Sequence, residues 1–415
     1  MNTLGLLALL LTLSAVFSIV NDRWLRLPMT IGVMLISIAA SLLVIATGML
    51  FPAYDPRLFA HSVLGTVNLP EALLNGALSL LLFAGALGVN LGCFRTKLKS
   101  VTALAVLGTI LAVLMLAGAA WLIFPLMGIA APFSWCVVLG AILAPTDPVS
   151  VIGMLRRLGL PQDIQAVFAG ESLFNDGISI VIFGVTIGLA TGDASHVTLT
   201  HIVESFLWEA VGGCLLGAAT GWLTLFLLRA SRDAHTQLIA SLALATGTYS
   251  VASYFGMSGA VAVVIAGLCL GTHYSQSIFD EHGRKELNIA WTLIDEVLNV
   301  LLFLLIGFEI LEIPLHLSSL AAMLLVVPLS ILGRGLSVFF STLPLHLKHW
   351  DKGRLLSILT WGGLRGGISL SLALGLPAGD LRNLILPICY GVVVFTIVAQ
   401  GLTMERVVRR FYPAP

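Results

Sequence analysis

The feature that most constrains this chain is a series of apolar runs of about 20 residues each, separated by short polar linkers. A helix of that length spans the hydrocarbon core of a bilayer. Hydrophobic residues make up 58% of the 415 residues and charged residues only 10%. Because a soluble domain carries roughly 25% charged residues, the composition excludes an ordinary soluble protein. The chain is therefore predicted to be an all-α integral membrane protein.

The apolar runs predict about thirteen transmembrane helices. Their approximate limits are 4–20, 27–48, 72–92, 100–125, 133–154, 163–191, 200–229, 235–255, 258–272, 287–310, 317–342, 353–375 and 384–405. The linkers between them are too short to hold a separate soluble domain. Residues 1–415 are therefore predicted to form a single transmembrane domain.

The basic residues test the number of spans independently, because Lys and Arg collect in cytoplasmic loops. Most of the 21 basic residues follow odd-numbered spans. These groups are Arg23 and Arg26; Arg95, Lys97 and Lys99; Arg156 and Arg157; Arg229 and Arg232; Arg284 and Lys285; Lys348, Lys352 and Arg354; and Arg406, Arg409 and Arg410. The alternation predicts an N-terminus outside the cell and a C-terminus in the cytoplasm. No basic residue precedes the first apolar run, which favours a retained helix over a cleaved signal peptide.

A few charged residues lie inside the predicted spans, and these are the candidates for function. A charge at the bilayer centre costs at least roughly 2.5–3.5 kcal/mol, so such residues are rarely retained without a role. They are Asp147, Glu171, Asp176, Asp295, Glu296, Arg334 and Arg365. All nine histidines fall in or near predicted loops. The pattern therefore lacks the histidine box of a membrane metalloenzyme, and no enzymatic activity is expected.

Asp147 lies in the run Ala144-Pro145-Thr146-Asp147-Pro148. The two prolines remove two backbone donors and clash with preceding carbonyls, so the helix is predicted to break there. A break at mid-membrane exposes carbonyl groups and helix ends, from which many transporters build ion sites. The alternative is a proline-kinked helix in which Asp147 only caps the second half.

The next span contains Gly170-Glu171-Ser172-Leu173-Phe174-Asn175-Asp176. Ser172 and Asp176 are four positions apart and share one face of a helix. Glu171 and Asp176 are five apart, about 140° around the axis, and do not. A hydroxyl beside a carboxylate suits a small hard cation that prefers oxygen ligands, so Asp176 is the predicted ion carrier. The alternative is a buried polar network that only ties helices together.

Arg365 lies in a second predicted break, the run Gly362-Gly363-Leu364-Arg365-Gly366-Gly367. The glycines indicate an interrupted helix with close backbone approach. Arg365 and Glu171 lie at similar predicted depth, and either charge alone would be very costly in the membrane. A buried Glu171–Arg365 ion pair that supports the site is therefore predicted.

Asp295, Glu296 and Arg334 are secondary candidates for the site. They fall on consecutive spans. Arg334 could form a salt bridge with either carboxylate. The alternative is that its charge faces the cytoplasmic vestibule.

Together these motifs resemble those of the monovalent cation/proton antiporters of the NhaP and animal sodium/proton exchanger type. The resemblance rests on Thr146-Asp147-Pro148, on the run from Gly170 to Asp176, and on Gly362-Gly363-Leu364-Arg365-Gly366, with a weaker match from Trp291 to Glu309. It implies the sodium/proton antiporter fold, with two inverted repeats around two broken crossing helices. Spans five and twelve would cross, and span seven would link the repeats.

The resemblance also implies how the chain is organised and what it does. A core domain, with spans at about 100–191 and 317–405, would move against the remaining dimerisation and linker spans of a homodimer. The activity implied is exchange of Na⁺ or Li⁺ for H⁺, serving pH homeostasis and sodium tolerance. The expected partners are the lipid bilayer, monovalent cations and protons, with no nucleic acid and no cofactor besides the transported ions. The short tail favours a bacterial inner membrane.

For the site, the resemblance assigns the exchanged ion and the proton to Asp176. Thr146 and Ser172 would supply further oxygen ligands to Na⁺, with Asp147 nearby. Asn175 would help to hold the broken helices together. The Glu171–Arg365 pair would be structural.

One position departs from the family pattern. Many relatives carry a glutamate in the third span, in a run like Leu-Leu-Phe-Glu-Ala, whereas this chain has Leu81-Leu82-Phe83-Ala84-Gly85. A carboxylate that could bind the ion is therefore missing at Ala84. The Asn175-Asp176 pair offers one carboxylate, which predicts electroneutral one-for-one exchange. Potassium/proton antiport by the same fold, or an ion channel, are the alternatives.

Overall fold

A computed structural model describes residues 3–50, 69–89, 91–147, 151–153, 155, 158–192, 199–230, 233–272, 281–311, 313, 317–344 and 352–412. Over these ranges the chain is almost entirely helical, and no strand occurs in them. Eight of the helices there are long and apolar enough to cross a membrane, and shorter apolar helices lie between them. The predicted all-α membrane fold is confirmed.

The helices follow the predicted spans, except that the helix of the fifth span ends at Leu143 and the twelfth span is divided into two helices. In chain order they are α1 (Thr3–Val20), α2 (Met29–Leu50), α3 (Leu69–Leu87), α4 (Leu91–Met127), α5 (Phe133–Leu143), α6 (Gln162–Thr191), α7 (Leu199–Leu228), α8 (Ala234–Tyr254), α9 (Gly259–Leu270), α10 (Glu281–Phe308), α11 (Leu317–Thr342), α12 (Lys352–Trp361), α13 (Gly367–Leu374) and α14 (Asp380–Phe411).

The two predicted helix breaks meet in the structure. Helix α5 ends at Leu143, just before Pro145, and the non-helical segment that follows contacts the segment between α12 and α13. The backbone N–H of Asp147 donates a 2.7 Å hydrogen bond to the carbonyl oxygen of Leu364. A side chain at Gly366 would lie within 2.6 Å of Asp147 Cβ, so only glycine permits this approach. The prediction that spans five and twelve form the crossing pair is confirmed.

A π-helical turn in α14 supports the same crossing. The turn covers Thr396–Gln400. The hydroxyl of Thr396 accepts a 3.1 Å hydrogen bond from the backbone N–H of Arg365, which lies in the break. Single π turns inside α-helices often occur at functional sites, because they shift the side chains out of the regular helical order. Here the shifted turn satisfies a donor that the broken helix leaves without a helical partner.

Small residues allow close packing between α7 and α9. Gly213, Gly217 and Gly221 are spaced four residues apart on α7 and face α9. A methyl group at Gly217 would overlap the carbonyl oxygen of Ala262. Membrane helices gain little from apolar burial against one another, so this close approach supplies their van der Waals attraction.

We therefore expect Gly217→Ala to lower the thermal unfolding temperature in detergent, because the added methyl group forces α7 away from α9. Gly247→Ala on α8 is the matched control, since nothing lies within 4 Å of a methyl group there. Replacing a helical glycine by alanine otherwise favours the helix by about 1 kcal/mol. Tryptophan fluorescence on heating measures both variants. Equal behaviour of the two would contradict this account of the packing.

Candidate ion-binding site

The site is built around Asp176, which lies in the middle of α6 and is 3% exposed. Glu171, Ser172 and Asn175 on the same helix are also buried. The segment after α5 brings Thr146 against them. The predicted residues of the two motifs are thus adjacent in space.

Asn175 ties α6 to the broken segment. Its amide Nδ2 donates to Thr146 Oγ1 at 2.7 Å and to Glu171 Oε1 at 2.9 Å. Its Oδ1 accepts a 3.3 Å hydrogen bond from the backbone N–H of Thr146. All the hydrogen-bonding groups of this one side chain are therefore used to fix the irregular backbone beside Asp176.

The hydroxyl groups of Thr146 and Ser172 lie beside each other. Thr146 Oγ1 donates to Ser172 Oγ at 3.2 Å, and Ser172 Oγ hydrogen-bonds to the carbonyl oxygen of Thr146. The hydroxyl oxygens of Thr146 and Ser172 and the carbonyl oxygen of Thr146 are thus close together at α6. Such oxygens are the ligands that hard cations prefer.

The carboxylate of Asp176 is only partly satisfied. Among the residues that the structure describes, none donates a hydrogen bond to its buried Oδ1. The backbone N–H of Thr146 lies near the carboxylate, and the surrounding charged groups are Asp147, Glu171 and Arg365. A buried acceptor without a donor is costly, so this oxygen favours binding a proton or a cation.

The buried ion pair at the site is Glu171–Arg334, not the predicted Glu171–Arg365. Arg334 Nη1 and Nη2 donate to Glu171 Oε1 and Oε2 at 2.7 and 2.8 Å. Glu171 is 1% exposed and Arg334 is 5% exposed. The planar guanidinium of Arg334 matches the carboxylate bidentately, which leaves Glu171 no oxygen to offer a second arginine with equal geometry. Both predictions for Arg334, pairing with Asp295 or Glu296 and facing a vestibule, are wrong.

Arg365 instead hydrogen-bonds to backbone carbonyl oxygens. Its Nη1 donates to the carbonyl oxygens of Ala144 and Pro145 at 2.5 and 3.1 Å. These carbonyls end α5, where the break removes their helical donors. The guanidinium therefore closes the broken end of one crossing helix with a residue from the other.

A cavity of about 610 Å³ reaches the site. Thr146, Asp147 and Asp176 line one part of it. Ala84 on α3 lines another part, so the position that lacks the family glutamate does face the candidate ion path. Ser172 and Asn175 are not among the residues that line this cavity.

Asp295 and Glu296 on α10 also line this cavity. They are therefore placed with Asp147 and Asp176, and not with Arg334. All four carboxylates thus line the same cavity. The role of Asp295 and Glu296 in the site stays a prediction.

Comparison with known proteins identifies the family of this chain. A family model described as "Sodium/hydrogen exchanger, transmembrane" matches residues 8–410. The chain belongs to this family. The Na(+)/H(+) antiporter NhaP of Pseudomonas aeruginosa is 36% identical over 415 residues, which cover 99% of this chain and 97% of that protein. The Na(+)/H(+) antiporter NhaH of Halobacillus aidingensis is 32% identical over 75% of this chain and 76% of its own.

The fold is also that of a solved exchanger-family structure. The sodium proton antiporter MjNhaP1 from Methanocaldococcus jannaschii, at pH 8, superimposes with a TM-score of 0.76. The alignment covers 99% of this chain and 98% of that one at 20% sequence identity. The likeness confirms the sodium/proton antiporter fold that the sequence motifs implied.

Sequence reasoning missed the role of Arg334 because it paired Glu171 with Arg365 on their similar predicted depth in the membrane. In the structure of this chain Gly363 makes room for Arg334, whose Nε would lie 2.8 Å from a side chain at that position. Gly366 makes room for Asp147 in the same way. The signal that could have found the pair is a second arginine deep in a span between two glycines, Gly333-Arg334-Gly335.

We expect Arg334→Met to destabilise the protein by about 3–5 kcal/mol, because it leaves Glu171 as an uncompensated buried charge. The double variant Glu171→Gln with Arg334→Met should recover part of that loss. Arg409→Met is the control, since its ion pair with Glu405 is exposed, and exposed pairs contribute about 0–1 kcal/mol. Denaturant or thermal unfolding measures all three. A loss for Arg334→Met no larger than for Arg409→Met would contradict the assigned pair.

Proposed function

We propose that this chain is a secondary transporter that exchanges Na⁺ or Li⁺ for H⁺ across a membrane. The single observation that carries the proposal is the buried Asp176 beside the meeting point of two broken helices. Its Oδ1 accepts no hydrogen bond from the described residues, and its carboxylate lines a cavity that holds further carboxylates. The curated relatives named Na(+)/H(+) antiporters support the same activity.

In this mechanism Asp176 binds either one proton or one cation, and not both. Thr146 and Ser172 supply further oxygen atoms to the cation, and Asn175 holds them at the break. The Glu171–Arg334 pair and Arg365 compensate the buried charge around the site without taking part in exchange. Because proton and cation compete for one carboxylate, release of one on a given side allows capture of the other.

The movement that exposes Asp176 to the two sides is assigned to the core domain, with spans at about 100–191 and 317–405, sliding against the remaining spans of a homodimer. The alternation of basic loops supports an N-terminus outside and a C-terminus in the cytoplasm. We place the protein in the inner membrane of a bacterium, where the exchange would serve pH homeostasis and sodium tolerance.

The experiment that tests the activity uses acid-loaded liposomes containing a pH dye, to which Na⁺, Li⁺ or K⁺ is added outside. We expect Na⁺ and Li⁺ to raise the internal pH, and Asp176→Asn to abolish the response because an amide binds no exchangeable proton. Asp380→Asn, which removes an exposed carboxylate at the start of α14, is the control and should keep the response. Residual exchange by Asp176→Asn would refute the role of Asp176, and a response to K⁺ alone would change the cation.

We also expect the exchange rate to be independent of membrane voltage. One cation against one proton moves no net charge, whereas each uncompensated charge would gain about 2.3 kcal/mol per 100 mV. A tenfold proton gradient supplies about 1.4 kcal/mol, and the concentration gradients of the two ions would then be the whole driving force. The same liposomes, with the voltage set by a potassium gradient and valinomycin, measure this. A rate that follows the imposed voltage would overturn one-for-one exchange.

A further inference from the structure

Helix α10 presents a polar stripe to the cavity. Asn288, Thr292, Asp295 and Asn299 recur at helical spacing, and all four line it. The chain keeps these polar groups on one face of a helix that elsewhere reads Val-Leu-Leu-Phe-Leu-Leu. Polar groups inside a membrane span mark paths for ions or water.

Asp295 is held in a fixed orientation within this stripe. Asn299 Nδ2 donates to Asp295 Oδ1 at 3.0 Å and to its backbone carbonyl at 2.8 Å. Asn299 is 3% exposed, so this clamp is buried while the carboxylate faces the cavity. Among the described residues, no side chain donates a hydrogen bond to Asp295 Oδ2 or to Asn299 Oδ1. Two oxygen atoms are therefore left for a ligand in the cavity.

The charges that line the cavity also favour a cation or protons. Asp147, Asp176, Asp295 and Glu296 all line it, and no Lys, Arg or His does so among the residues described. Asp147 and Glu296 lie near enough to Asp295 for their negative charges to repel. The buried Oδ1 of Asp176 has no donor among the described residues and belongs to the same space. A cation at Asp176 alone would leave Asp295 as a second carboxylate facing the same space.

We propose that Asp295, held by Asn299, forms a second cation position in the cavity, which binds an alkali cation in partly hydrated form before the cation reaches Asp176. This rests on the proposed exchange at Asp176. The volume of about 610 Å³ supports it, because a water molecule takes about 30 Å³ and the cavity can therefore hold a cation with much of its hydration shell. Carboxylate and amide oxygens are suitable ligands for such an ion.

A position of this kind supplies cation binding and no chemistry of its own. Its loss removes affinity for the arriving ion while the exchange step at Asp176 is left intact. The expected kinetic signature is a raised KM for Na⁺ with little change in kcat. A purely structural role for Asp295 would instead lower the amount of folded protein or kcat.

The test measures the dependence of the dye response on Na⁺ concentration in proteoliposomes. We expect Asp295→Asn to raise the KM for Na⁺ by about 3- to 10-fold with kcat within about twofold, because the amide keeps the hydrogen bond from Asn299 but loses the charge. Asp295→Glu should restore most of the affinity. Glu286→Gln is the matched control, since it removes one negative charge from the same helix at an exposed position outside the cavity, and its KM should stay unchanged.

An unchanged KM for Na⁺ in Asp295→Asn would overturn the second position. An equal rise of the KM in Glu286→Gln would also overturn it, because the effect would then reflect general attraction by surface charge. So would a loss of kcat that Asp295→Glu does not recover. Thermal unfolding of each variant shows that the comparison is made on folded protein. Failure of this inference is distinguishable from failure of the proposed function, because the latter requires exchange to be absent in the unmodified chain or to persist in Asp176→Asn.

Discussion

The contact between the two interrupted helices makes the rest of the site possible. Breaking a helix inside a membrane leaves carbonyl and N–H groups without partners, and water is not available to replace them. Here Arg365 binds the carbonyls at the end of α5, and Asp147 N–H binds the carbonyl of Leu364. Each break is therefore satisfied in part by the other, and Thr396 and Asn175 satisfy further backbone groups.

Once the crossing exists, it creates a strongly polar environment that the surrounding helices must compensate. The bidentate Glu171–Arg334 pair places a neutral, fully hydrogen-bonded unit behind the site, and Asn175 links that pair to Thr146. Among the described residues of this network, the carboxylate of Asp176 keeps an oxygen atom without a hydrogen-bond donor. A rigid shell around one incompletely satisfied acceptor suits competition between a proton and a cation better than a flexible shell would.

Away from the crossing, different helices supply apolar and charged side chains to the wall of the cavity. Ala84 makes one part of its wall apolar, where many exchangers carry a glutamate, while α10 lines another part with Asp295 and Asn299. Under the proposed function, the wall at α3 therefore lacks the carboxylate that the family pattern would indicate, while α10 carries carboxylates at Asp295 and Glu296. Which wall bears the charge affects how a cation approaches Asp176, and so the affinity of the protein for the ion it exchanges.

The sequence by itself determined the membrane class, the helix limits, the two breaks and the family, because apolar length, proline and glycine act locally along the chain. It also identified nearly every charged residue of the site. It did not determine which arginine pairs with Glu171. The depth of a residue in the membrane can be predicted from the sequence, but the direction of its side chain around the helix axis and the identity of the neighbouring helices cannot. Only the tertiary structure showed that glycines beside Arg365 admit Arg334 and Asp147. The pairing depends on contacts between helices far apart in the chain, and those are decided by packing.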